Sequence, residues 1–321
     1  MSARRSFFLP IAASIFLASA GVAKAELKVV VTSKPIHALV SSVMAGVATP
    51  ELLVKGTASP HSYAMKPSDA QAVNRAHVFF RVSEELEPFT GKLVRSLPEL
   101  VKVVSLVEAP GVQLLPRREE ATFDSHEHDD GHDHDHAHMH RHAKGHTHAG
   151  SHDPHVWLDP DNAKAMVNYI ADVLADVAPD QAPAIRKNAE AEVGRIFALS
   201  EEVGRELAHL ADQRFIVYHD AYQYLEKRYG LNAAGSMTLN PDVPPSGKRL
   251  QEIRNKISSA NVRCMFADPN ISPRVTAAVT EGTSARTAVL DPEGITLEAG
   301  PDLYHHLMRQ LARAIKSCLA E

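Results

Sequence analysis

From residue 27 onward the hydrophobic positions fall into two alternating spacings. Short apolar or β-branched runs at 27–32, 51–54, 77–82 and 101–106 are separated by stretches in which apolar residues return every three or four positions. The first pattern predicts strands and the second amphipathic helices, placed at 35–47, 68–75 (capped by Ser68 and Asp69) and 88–96. Residues 108–125 show no period. After Asp159-Pro160, which reads as an N-cap with proline at the first helical position, Ala163, Met166, Val167, Ile170, Leu174 and Val177 keep helical spacing. Ala178-Pro179-Asp180 breaks that run, and a second helix follows through Ile185, Ala189, Val193, Ile196, Leu199, Val203, Leu207 and Leu210. Its roughly 28 residues predict a rod of about 42 Å.

Strands at 215–218, 232–237, 262–266 and 287–290 then alternate with helices at 221–229, 246–259, 272–282 and 301–319, with Gly230 as a C-cap. The alternation in both halves predicts an α/β chain of two lobes, each a mostly parallel sheet flanked by helices. The expected boundaries are 26–158 for the N-terminal lobe, 159–210 for a helical connector whose long rigid helix joins the lobes, and 211–321 for the C-terminal lobe.

The first 25 residues stand apart. Arg4 and Arg5 precede an apolar run at 7–18, and Ala23-Lys24-Ala25 has the small-x-small form of a cleavage site. The run is shorter than the roughly 20 residues a bilayer needs, so the reading is a signal peptide cleaved after Ala25 and a mature chain that does not span the membrane. The chain carries 34 basic and 39 acidic residues, a net charge of −5, and the balance argues against a nucleic-acid partner. Cys264 and Cys318 are the two cysteines; in an exported chain they either pair across the C-terminal lobe or stay as two buried thiols.

The candidate chemistry lies in histidines of two kinds. One kind forms the tract at 124–152: His126, His128, His132, His134, His136, His138, His140, His142, His146, His148 and His152. With little apolar surface to bury, such a segment cannot offset its ordering entropy and is expected to be a solvated loop. Its His-x-His spacings suit weak collection of several zinc ions close to a tighter site. The other kind sits where a strand or loop hands over to a helix: His61, His155 and His219, with Asp291 just past a strand. Ligands of open α/β sheets gather outside the carboxyl ends of the strands. Neutral imidazoles with a carboxylate or water make a tetrahedral set suited to Zn²⁺. Trp157, Tyr222 and Tyr224 read as packing residues.

Three motifs carry a family resemblance. Gly56-Thr57-Ala58-Ser59-Pro60-His61-Ser62-Tyr63, Asp153-Pro154-His155-Val156-Trp157-Leu158-Asp159-Pro160 and Tyr218-His219-Asp220-Ala221-Tyr222 resemble, in order, those of ZnuA-like periplasmic zinc-binding proteins of zinc-uptake ABC transporters. The resemblance implies one metal between two lobes, with His61, His155 and His219 on the three imidazole ligand positions. Manganese-binding relatives tend to have a carboxylate where His219 stands. Asp291 falls where several relatives have a carboxylate ligand; others use water, or a Glu before the first His, a position that is Pro60 here. The fourth ligand implied is therefore Asp291 or water. Asp268 lies where relatives often carry Glu, as a residue behind the ligands, and Cys264 and Cys318 match a cysteine pair of zinc members. The implied function is non-enzymatic: a periplasmic monomer that captures Zn²⁺ and delivers it to a membrane permease. The alternatives are a manganese or broad-specificity carrier of the same class, a free-standing zinc buffer built on the tract, and a zinc hydrolase. The last lacks a His-Glu-x-x-His motif and an evident general base.

Overall fold

A computed structural model describes residues 26–123 and 152–320. The expected leader at 1–25 and the tract histidines His126 to His148 lie outside the described residues; His152 lies within them. Lobe one runs β1 (Val29–Val31), α1 (Lys34–Val43), β2 (Glu51–Leu52), α2 (Pro67–Asn74), β3 (Val78–Arg81), α3 (Thr90–Val94) and β4 (Lys102–Ser105). Two helices follow, α4 (Pro160–Val177) and α5 (Ala182–Leu207). Lobe two runs β5 (Arg214–His219), α6 (Gln223–Tyr229), β6 (Asn232–Thr238), α7 (Gly247–Ser259), β7 (Cys264–Ala267), α8 (Pro273–Thr280) and β8 (Arg286–Val289), and α9 (Leu303–Ala320) follows it.

All sheet pairings between these strands are parallel, and the strand orders are β2-β1-β3-β4 and β6-β5-β7-β8. The lobes therefore repeat one topology. In each, the winding reverses between the first and third strands, which leaves a crevice at their carboxyl ends. Local chemistry explains several boundaries. Asp159 caps α4 by accepting from the Asp161 amide at 2.8 Å, with Pro160 at the first turn. Gly230 closes α6 in the left-handed conformation at φ 65°. Helix α2 differs from expectation: it starts at Pro67, and Asp69 reaches back to accept from the Lys66 amide at 2.8 Å, so Ser68 is not its cap.

Helix α5 has 26 residues, about 39 Å of rod. It lies along α4 and packs on both α1 and α9. One continuous apolar cluster runs from Val31 and Leu39 of lobe one through Trp157, Met166 and Leu199 to Val217, Phe266 and Leu307. The lobes thus share a core and are not hinged on a single strand of chain. Polar ties add to it: Lys34 Nζ donates to the carbonyls of Ile295 and Leu297, each at 2.8 Å, and Trp157 Nε1 donates to Pro292 O at 2.9 Å. Cys264 and Cys318 are disulfide-bonded, joining β7 to α9.

The segment before the tract reaches across to lobe two. Residues 121–123 run antiparallel along the β6 edge: Ser236 N donates to Ala121 O at 2.8 Å and Phe123 N to Ala234 O at 3.2 Å. Gly235 makes the approach feasible, because a Cβ there would stand 2.8 Å from Ala121 O. Arg118 fastens the same strap through Asp220 and Glu226, each at 2.8 Å. His152 returns by an antiparallel bridge to Pro116.

Candidate metal centre

His219 is the last residue of β5, at the crevice of lobe two. Its Nδ1 bonds Asp268 Oδ2 at 2.5 Å, and Asp268 directly follows β7 on the other side of that crevice. His155 precedes a 3-10 turn, Val156–Leu158, whose three side chains are buried. Asp153 fixes it twice, accepting from the His155 amide at 3.0 Å and lying 2.7 Å from its Nδ1. Tyr224 holds Asp153 in turn, donating to its carbonyl at 2.8 Å. A carboxylate on Nδ1 keeps the proton there and leaves the Nε2 lone pair free, the usual support of a metal-bound histidine.

His61 arrives from lobe one on the loop after β2. The three rings form a triangle with centroid separations of 5.3, 5.5 and 5.9 Å. One ligand atom from each lies within 4.8 Å of the others, and His61 Nε2 is 3.3 Å from His155 Nε2. Imidazole nitrogens held at about 2.0–2.1 Å by a tetrahedral ion stand about 3.3 Å apart, so this pair already has the needed spacing. His219 Nε2 is buried without a hydrogen-bond partner. An orphaned acceptor in such a place is costly unless something binds it, and a dication fits.

Burial, reinforced by the neighbouring imidazoles, holds His61 and His155 well below the ordinary histidine value. Burial works against charge on His219 too, but the Asp268 carboxylate outweighs it and raises that imidazole. Burial thus keeps the His61 and His155 nitrogens neutral and ready to ligate.

Asp291 does not join the triangle. Its Oδ1 accepts from Ile295 N at 3.0 Å, and its Oδ2 from Thr296 N at 2.9 Å and Thr296 Oγ1 at 2.7 Å. It staples its own loop. Among the described residues the carboxylate facing His61 Nε2 is Glu293, whose Oε1 lies 3.5 Å from it and accepts from Ser59 Oγ at 3.1 Å. Burial pushes its carboxyl up to about 8. Sequence reasoning missed it, although a signal was present: Asp291-Pro292-Glu293-Gly294 has turn composition, in which the leading Asp bonds its own backbone. His152 is exposed on its bridge and outside the triangle, while Trp157, Tyr222 and Tyr224 are buried.

Two cavities flank the centre. One, of about 360 Å³, is lined by Thr57, Ser59, His219, Asp268, Asn270 and Glu293, among others. The other, of about 100 Å³, includes His61, His155, Asp153 and Arg117 in its walls. Among the described residues no helix is long and apolar enough to cross a membrane.

Residues 29–318 match the family described as "Zinc-uptake complex component A periplasmic", ZnuA. The chain is 45% identical over 329 residues to the high-affinity zinc uptake system protein ZnuA of Brucella suis biovar 1 (strain 1330), spanning 96% of this chain and 98% of that one. It is 40% identical to the protein of the same name from Paracoccus denitrificans (strain Pd 1222), over 92% and 93% of the two chains. The solved Zn(II)-bound ZnuA-like domain of Streptococcus pneumoniae AdcA superposes with a TM-score of 0.69 at 24% identity, covering 92% of this chain and all of that one, which shows a shared fold. With a match across nearly the whole chain, the protein belongs to the ZnuA family of zinc-uptake components.

Proposed function

We propose that the chain captures Zn²⁺ in the periplasm and passes it to the membrane permease of an ABC transporter, acting as a carrier and not as an enzyme. The observation that carries this reading is the convergence of His61, His155 and His219 from distant segments onto one buried point. Three neutral nitrogen donors suit zinc, whereas manganese is better served by oxygen-rich sets. The fourth position is taken by Glu293 or by water: a dication would draw the Glu293 carboxylate into its charged form, while Asp291 keeps the loop beneath it in shape. The basic, apolar and small-x-small order of residues 1–25 supports export with cleavage after Ala25. A core shared by both lobes supports delivery by small adjustments around a preformed site.

The test is zinc stoichiometry and affinity in a chain whose residues 124–151 are replaced by a short Gly/Ser linker, so that the tract contributes nothing. One tightly held ion per chain is expected, with affinity falling by about 100-fold or more in each of His61→Ala, His155→Ala and His219→Ala. Full affinity in any of the three would overturn the assignment.

A further inference from the structure

We infer that Asn270 and Ser59 form a clasp that holds the His61 loop closed against lobe two, and that Asn270 is a positioning residue governing how fast zinc leaves. The inference rests on the zinc-capture reading above and adds to it the part of the site that opens.

The three imidazoles are not held alike. His155 and His219 each have a carboxylate on Nδ1, at 2.7 and 2.5 Å, and each adjoins a regular element. Among the described residues no such carboxylate stands behind His61. Its loop is tied to lobe one at both ends. Leu53 N and Val54 N donate to Val31 O and Thr32 O at 2.9 Å, and Asp69 accepts from Tyr63 OH and Lys66 N at 2.8 Å. Between those ties, two hydrogen bonds join the chain to lobe two. Asn270 Nδ2 donates to Thr57 O at 3.0 Å, and Ser59 Oγ donates to Glu293 Oε1 at 3.1 Å. Ser59 Oγ also accepts from the His61 amide at 3.3 Å, so it links the Glu293 loop to the backbone of the ligand itself.

Asn270 sits two residues beyond Asp268 in one short turn, closed by Ile271 N donating to Asp268 O at 3.0 Å. That turn thus sets the His219 ring through Asp268 and the His61 loop through Asn270. Thr57, Ser59, Asp268, Asn270 and Glu293 all line the larger cavity beside the centre. Parting the Asn270–Thr57 contact widens that cavity and lets His61 withdraw, while His155 and His219 stay on their carboxylates. Asn270 is neutral and solvent-exposed, which suits a contact that must break on each delivery cycle.

The experiment is rapid-mixing release of one equivalent of zinc from the full mature chain into excess chelator, for wild type, Asn270→Ala and Ser59→Ala, with association measured alongside. Asn270→Ala is expected to release zinc about 3–10-fold faster, with the association rate changed less than twofold. The Co²⁺-loaded variant is expected to keep the wild-type tetrahedral absorption bands, showing an intact ligand set. Ser59→Ala is expected to accelerate release at least as much. An unchanged release rate in Asn270→Ala overturns the clasp, and so does a loss confined to association or to the melting temperature of the metal-free chain. A wild type that holds no ion tightly would instead sink the capture reading itself.

Discussion

The two lobes share one strand order, yet they fill the crevice at its reversal in opposite ways. In lobe one the crevice between β1 and β3 is plugged by Glu87, a fully buried carboxylate. It accepts from the Thr32 hydroxyl and from the amides of Val82 at 2.9 Å and Ser83 at 3.0 Å. In lobe two the crevice between β5 and β7 holds His219 and Asp268, and there His219 Nε2 and Asp268 Oδ1 are left without partners. The same architecture thus offers two equivalent sites, and hydrogen-bond satisfaction separates them. Glu87, with its partners complete, holds the fold, whereas the unpartnered His219 Nε2 leaves room for a further ligand.

Three measurements can break that contrast. The largest effect is expected from Glu87→Ala, which strands a hydroxyl and two buried amides. It should cost about 3 kcal/mol of stability by denaturant unfolding, yet leave zinc affinity within about threefold. Asp268→Asn is expected to do the reverse, weakening zinc binding by about 10–100-fold in competition titrations while moving the melting temperature of the metal-free chain by no more than about 2 °C. Affinity unmoved in the second variant, or lost in the first, would erase the division of labour between the lobes.

The smallest effect is one of pH. Burial pushes the Glu87 carboxyl from 4.5 up to about 7. Its folded value lies above its unfolded one, so the stability it contributes is complete below pH 4.5 and is lost as pH rises through about 7. Relative to Glu87→Gln, the wild type should lose about 1 kcal/mol per pH unit across that window. Taking the difference between the two proteins removes the opposite trend of His61 and His155. A flat difference would mean that Glu87 is not the plug described.

Much of this was legible in the amino-acid order, because local rules settled it. The alternation of apolar spacings yields both lobes, and Asp159-Pro160 marks the start of α4 to the residue. His61, His155 and His219 stand out because each lies where a strand or loop hands over to a helix. What escaped was decided by contacts between distant segments. Asp291 and Glu293 are two acids in one turn, and only the amides of Ile295 and Thr296 reveal which of them is spent on the loop. Residues 117–123 have no period to read, since their order comes from the β6 edge and from Arg118 meeting Asp220 and Glu226. The strand order, and with it the two crevices, follows from tertiary pairing that no single strand encodes.

The strap along β6 bears on how the chain tolerates changes of length. Its outgoing end is pinned by Phe123 and its return by the bridge at His152, so insertions or deletions between them need not tug on the cleft. Variants shortened or lengthened within residues 124–151 are therefore expected to keep the spacing of His61, His155 and His219.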